Sequence, residues 1–139
     1  MERSLVLIKP DAMQRGLVGA IITRLEQRGL RMMAVKMLQL DKALAQEHYA
    51  IHKDKPFFDD LVNYISSAPI VAIVFGGKGV VAVIRKAVGA TDPARAGAGT
   101  IRGDFGLDIG RNSVHGSDSV ETAEKEIKLF FAEDEIYTY

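Results

Sequence analysis

An α+β fold built on a four-stranded antiparallel sheet is predicted by three observations. Short apolar runs at residues 5–8, 32–40 and 70–75 are separated by stretches with helical spacing. The 139 residues carry no internal repeat and suit one compact domain, 1–139. At 47% hydrophobic, the chain can bury a core on such a sheet.

The elements follow in order. Residues Leu5, Val6, Leu7 and Ile8 end at Lys9-Pro10, too short for a helix and apolar enough for a buried strand. Val18, Ile21, Ile22 and Leu25 lie on one helical face, and Gly29 supplies a left-handed stop. After the second strand, Asp41 is placed to cap a helix over 42–49. Phe57, Phe58, Leu61, Val62 and Ile65 predict another helix, with Pro56 in its first turn and Pro69 just beyond its end. The third strand precedes a helix through Val80, Val81 and Ile84 that stops at Gly89. Residues 89–116 hold seven glycines and little periodicity, so a long irregular loop is expected, with a short strand around Ser113. A final helix carries the stripe Val120, Ala123, Ile127, Phe130 and Phe131, and Asp118 with Glu121 has the form of a capping box. This order fits a split βαβ, ferredoxin-like sheet with helices on one face; a doubly wound sheet is the alternative.

Composition narrows the function. Eighteen Lys plus Arg balance eighteen Asp plus Glu, so bulk charge does not suit an extended polyanion or a membrane surface. Cysteine is absent, which excludes disulfides and thiolate chemistry. No apolar run has the length of a signal or membrane segment, and a soluble cytoplasmic protein is expected. Neutrality is an average, however. Arg85, Lys86, Arg95 and Arg102 face only Asp92 between positions 85 and 102, whereas residues 118–135 hold seven acids and two lysines.

A 28-residue glycine-rich loop inside a compact domain is costly to order, which marks it as a place to look for a site. It leads to His115, flanked by the small residues Gly116 and Ser117 and followed by a helix start. Neutral imidazole is a nucleophile near pH 7, and helix N-termini favour phosphate. Guanidinium groups at Arg85, Arg95 and Arg102 and the Thr91 hydroxyl are suited to phosphate oxygens. Lys9, closing an apolar strand, points to the crevice where ligands collect. Of Phe57 and Phe58, one should face the core and the other could stack on a nucleobase. His48 and His52 have i, i+4 spacing but no third ligand in pattern, and are expected as exposed helix histidines. No Gly-x-Ser-x-Gly elbow or Walker loop occurs; Gly77-Lys78-Gly79-Val80-Val81-Ala82 only loosely resembles a dinucleotide-binding turn.

Ordered motifs along the chain are Ile8-Lys9-Pro10-Asp11, His48-Tyr49, Lys55-Pro56-Phe57-Phe58, Gly99-Thr100-Ile101-Arg102-Gly103-Asp104-Phe105 and Asn112-Ser113-Val114-His115-Gly116-Ser117-Asp118-Ser119. Together they resemble the nucleoside diphosphate kinase family from end to end. The resemblance implies transfer of the terminal phosphate of a nucleoside triphosphate to a nucleoside diphosphate, ping-pong through a phosphohistidine, with broad base and sugar specificity. It implies Mg2+ on the nucleotide phosphates and a homo-oligomer, tetramer or hexamer. It makes His115 the nucleophile, Glu126 its orienting partner, and Tyr49 and Lys9 assistants near the phosphate. Lys9 with Asn112 would hold the ribose, Arg85, Thr91 and Arg102 the phosphates, and Phe57, Leu61 and Ile109 the base. No metal ligand is expected from the protein itself.

Two positions depart from the family pattern: Ala98 where proline is frequent, and Gly76 where an acidic residue is common. Two rival classes remain in view. A ferredoxin-like RNA-binding module would need exposed strand aromatics and a basic sheet face; a dinucleotide-dependent enzyme would need the turn at Gly77 and Gly79 to hold a pyrophosphate.

Overall fold

The computed structural model describes residues 1–139. Strands β1 (Arg3–Ile8), β2 (Arg31–Leu38), β3 (Ile70–Gly76) and β4 (Val114–Gly116) form one antiparallel sheet in the order β2–β3–β1–β4. Helices are α1 (Pro10–Gln14), α2 (Val18–Glu26), α3 (Lys42–His48), α4 (Phe58–Ile65), α5 (Val80–Val88), α6 (Ile101–Phe105) and α7 (Val120–Phe130).

The two central strands explain the layering. Side chains alternate across a strand, and β1 and β3 are apolar at both parities, so each face of the sheet must be covered. Val6, Ile8, Ile73 and Phe75 join one core with Ile21, Leu25 and Ile84, while Leu5, Leu7, Ala72 and Val74 join another with Val62, Ile65, Ile127 and Phe130. Helices α2 and α5 thus pack on one face and α3, α4 and α7 on the other, which corrects the expectation of helices on one face. Each fully buried Leu, Ile or Phe contributes about 1.5–3 kcal/mol, so both layers matter to stability.

Local readings shift in two places. The loop after Gly89 is not wholly irregular: Thr100 accepts the Gly103 N–H at 3.0 Å and caps the five-residue α6. Gly103 is required there, because a Cβ would collide with the Gly97 carbonyl. The cap of α7 is Ser119, whose Oγ accepts the Thr122 N–H at 3.0 Å, and not Asp118. Asp41 does cap α3, accepting the Leu44 N–H at 2.8 Å. At Gly76, an added Cβ would lie 2.5 Å from the Met33 sulfur and 2.8 Å from that of Met1, so thioethers fill the space next to this backbone.

Candidate active site

His115 is the middle residue of β4, paired opposite Leu7 at the sheet edge. Val114 is buried in the α2/α5 core, so alternation turns His115 to the opposite face, toward α3 and α7. There His115 Nε2 lies 3.0 Å from Glu126 Oε1, and the Ser117 hydroxyl donates to the same oxygen at 2.6 Å. Burial pushes the Glu126 carboxyl upward, but hydrogen bonds from His115 and Ser117 outweigh it and hold the group below the usual carboxylate range. An ionised carboxylate only accepts, so Nε2 is the donor, and in the neutral tautomer this leaves the lone pair on Nδ1.

His48 is not an exposed histidine. It ends α3 and is buried, its ring 4.8 Å from that of His115 in a T-shaped contact, 5.4 Å from Phe130 and 4.7 Å from Tyr49. Both its ring nitrogens are buried without a hydrogen-bond partner. Burial, then the neighbouring His115, pulls its pKa down to about 3, so this ring is a neutral wall beside His115. Tyr49 is also buried, and burial pushes its hydroxyl up to about 12.

The cations lie in a different setting. Lys9, at the junction of β1 and α1, is only 7% exposed, and its Nζ donates to Asn112 Oδ1 at 2.9 Å. Asn112 Nδ2 donates in turn to the Thr91 carbonyl at 3.0 Å, which anchors the glycine-rich loop. Burial, reinforced by Arg102 and opposed by Asp11, pulls Lys9 down to about 8. Arg102, on α6, donates to the carbonyls of Gly89 at 3.2 Å and Val114 at 2.8 Å, while its Nε is buried without a partner. Burial and then Arg85 draw its pKa down to about 10. Neither Lys9 nor Arg102 has a carboxylate within ion-pair distance. Desolvated cations left without a counter-charge are costly, and an anion would relieve that cost.

Around this centre, Phe57 precedes α4 and is 44% exposed, while Phe58 packs into the core, which separates the two rings as the sequence suggested. Leu61 follows one turn along α4, half-buried. Arg85, Thr91 and Ile109 are exposed, the last on the turn where Arg111 binds Asp108. Arg95 is exposed and makes no ion pair. The structure thus joins His115, Glu126, Tyr49 and the unforeseen His48 and Ser117 in one cluster, and Lys9, Asn112 and Thr91 through a second chain of bonds, while Arg102 is held separately by the Gly89 and Val114 carbonyls. Ser117 stood in the sequence inside the His115 motif, but nothing there showed that it reaches Glu126.

His48, His115 and Glu126 each offer a ligand atom within 4.8 Å of the others. This donor set is mainly nitrogen and its carboxylate is already bonded, whereas magnesium prefers oxygen. These three residues therefore do not fit a magnesium cage.

Both rival classes meet physical obstacles. Both faces of the central strands are covered, Phe75 fully, so no aromatic sheet surface is open to RNA. At the start of α5, the Val81 N–H is taken by the Glu2 carboxylate at 2.9 Å, where a pyrophosphate would have to bind.

The family model for nucleoside diphosphate kinase matches residues 2–136. A nucleoside diphosphate kinase of Methanothermobacter thermautotrophicus is 60% identical over 139 residues, all of this chain and 93% of the relative. That of Archaeoglobus fulgidus is 58% identical over 139 residues, covering 92% of its length. The structure of the Halobacterium salinarum nucleoside diphosphate kinase in complex with CDP superposes with a TM-score of 0.97 at 50% identity, over 99% of this chain and 92% of that one. The Aquifex aeolicus enzyme gives 0.95 at 40% identity, over 98% and 99% of the two chains.

Proposed function

This chain belongs to the nucleoside diphosphate kinase family, and from that premise we infer that His115 is the histidine its phosphotransfer passes through. The enzyme moves the terminal phosphate from a nucleoside triphosphate to a nucleoside diphosphate. The observation that carries the assignment is the Glu126–His115 contact at 3.0 Å, which in the neutral ring places the proton on Nε2 and the lone pair on Nδ1.

In the first half-reaction Nδ1 attacks the γ-phosphorus. The N–P bond forms as the bridging O–P bond breaks, and the diphosphate leaves with the electron pair. The ring, still protonated at Nε2, becomes cationic, and Glu126 offsets that charge. In the second half a terminal oxygen of the incoming diphosphate attacks the phosphorus, and the N–P electron pair returns to Nδ1. Tyr49, protonated at neutral pH, is a donor near the phosphate. Lys9, Arg85, Arg102 and Thr91 take the phosphates, and Lys9 with Asn112 takes the ribose. Phe57, Leu61 and Ile109 hold the base by apolar contact, a mode that discriminates bases weakly.

Kinases of this kind generally use a divalent cation; because the His48–His115–Glu126 donor set does not suit magnesium, the ion would be held by the nucleotide's phosphate oxygens and water, where it would neutralise phosphate charge. The whole chain, 1–139, is read as one catalytic domain. A homo-oligomer, tetramer or hexamer, is supported by the sheet edge: Val35 and Met37 on β2 are 51% and 66% exposed. Beside them lies a groove of about 460 Å³ lined by Met32, Met33, Tyr137 and Tyr139. Light scattering on eluted protein tests this. No helix is long and apolar enough to cross a membrane, and a cytoplasmic setting is the proposed one.

The assignment is tested by incubation with γ-labelled ATP and magnesium. Label should reach the protein, be acid-labile and base-stable, and pass to added diphosphate. Labelling that survives His115→Ala would overturn it.

A further inference from the structure

Asp11, Tyr64 and Ser113 form a polar junction that the reaction above does not use. The Tyr64 hydroxyl donates to Asp11 Oδ1 at 2.7 Å and accepts the Asp11 backbone N–H at 2.8 Å. Ser113 Oγ donates to Asp11 Oδ2 at 3.3 Å, and the Ser113 carbonyl accepts the Lys9 N–H at 2.9 Å. Asp11 and Ser113 are buried, yet Asp11 has no cation within ion-pair distance. Its carboxyl is used instead to tie together three segments distant in sequence: the β1–α1 junction, α4, and the turn before β4.

Two features give this junction a purpose beyond packing. Ser113 is the one non-glycine residue with positive φ, at 76°, a conformation that persists only where neighbours impose it. That reversal sets Asn112 against Lys9 on one side and starts the His115 strand on the other. Tyr64, meanwhile, sits on α4 three residues after Leu61 and seven after Phe57, on the element proposed to hold the base. Val62 and Ile65 bury the inner face of α4 in the core, but apolar packing is non-directional and does not by itself fix how far a helix slides. The paired bonds between Tyr64 and Asp11 are directional, and they lie two residues along the chain from Lys9.

We propose that Tyr64, Asp11 and Ser113 are positioning residues that register the base-holding helix α4 against the Lys9–Asn112 pair, so that a docked nucleotide presents its terminal phosphate to His115. This rests on the site assignment given above. Displacement by about 1 Å can cost about 100-fold in rate, so a lost register should be kinetically visible. It should also be visible only for donors that use α4.

The test compares two phosphoryl donors for His115: ATP with magnesium, and phosphoramidate, which has neither base nor sugar. In Tyr64→Phe, phosphoenzyme formation from ATP should slow roughly 10- to 100-fold, while the phosphoramidate rate stays within roughly twofold and the melting temperature within a few degrees. Equal slowing with both donors would show general support of His115 and overturn the proposal; so would an unchanged ATP rate. Ser113→Ala, which removes only the 3.3 Å bond, provides the independent variant should Tyr64→Phe fold poorly. It should show the same donor selectivity at smaller size, and parallel or absent losses would again overturn the idea. Failure of the site assignment itself reads differently: wild-type protein would then take no label at His115 from either donor.

Discussion

On one side of His115, a buried carboxylate receives a ring nitrogen and a serine hydroxyl, and its charge is matched by hydrogen bonds before any substrate arrives. On the other, Lys9 and Arg102 are buried against an amide and two carbonyls, with no counter-charge. The first half is finished in the free protein. The second, on the function proposed above, is completed by a nucleotide's phosphates, and its unpaired charge is a stability cost that such binding would offset. Substitutions should therefore separate: on the Glu126 side, activity and stability fall together; on the Lys9 side, activity falls alone.

The largest effect expected is that of His115→Ala, which removes the nucleophile common to both halves. Turnover should drop by roughly 10⁴-fold or more, with no phosphoenzyme in a quench experiment. Lys9→Met comes next. Its kcat/KM should fall roughly 10²- to 10³-fold, while the ligand-free melting temperature stays level or rises, and stabilisation by added ADP shrinks. A lowered melting temperature in Lys9→Met would break the comparison.

Glu126→Ala should cost roughly 100-fold in rate and, unlike Lys9→Met, about 1–3 kcal/mol in chemical unfolding, because Ser117 and His115 lose their acceptor.

Smaller effects follow from protonation. His48 has a folded pKa of about 3, below the ordinary value of about 6.5. Between those values the unfolded chain binds a proton that the folded one does not, so stability is lost as pH falls from 6.5 toward 3. One such group contributes at most about 1.4 kcal/mol per pH unit. Glu126, held below its usual range, loses its contribution on further acidification. His48→Phe replaces a ring whose nitrogens bond nothing, and should flatten the descent below pH 6.5 in thermal melts across pH. Lys9 gives the opposite limb. With its pKa drawn to about 8 it loses charge as pH rises, so kcat/KM should decline above pH 8, and Lys9→Arg should move that limb upward.

The smallest effect lies outside both halves. The Ala98 N–H has no backbone acceptor, so Ala98→Pro forfeits no ladder bond and should add about 0.4–1 kcal/mol by restricting the unfolded chain. Differential calorimetry reads it.

Legibility in the sequence followed the range of the contact. The runs at Leu5 and Ile70 named the central strands, because uninterrupted apolarity has few other uses over so short a span. The same runs implied two covered faces, a consequence the one-face expectation overlooked. Helix α6 escaped notice because five residues containing Gly103 show no helical period. Among site residues, His115 stood out through its small neighbours, and Lys9 through its place at a strand end. His48 did not, since the contacts that bury it come from α7 and β4, and spacing along one helix says nothing of them. Tyr64 reaches Asp11 across 53 residues, and no local pattern encodes that.

The base stacking proposed for the half-exposed ring of Phe57 has a consequence on a larger scale than the site. A surface that accepts any flat base lets one triphosphate recharge every other diphosphate, and the bond made is of the same kind as the bond broken. Exchange of that sort runs close to thermodynamic balance in both directions. Whichever nucleotide the cell keeps most charged will then impose its triphosphate-to-diphosphate ratio on all the rest, and the protein acts as a leveller of that ratio, with no say in its value.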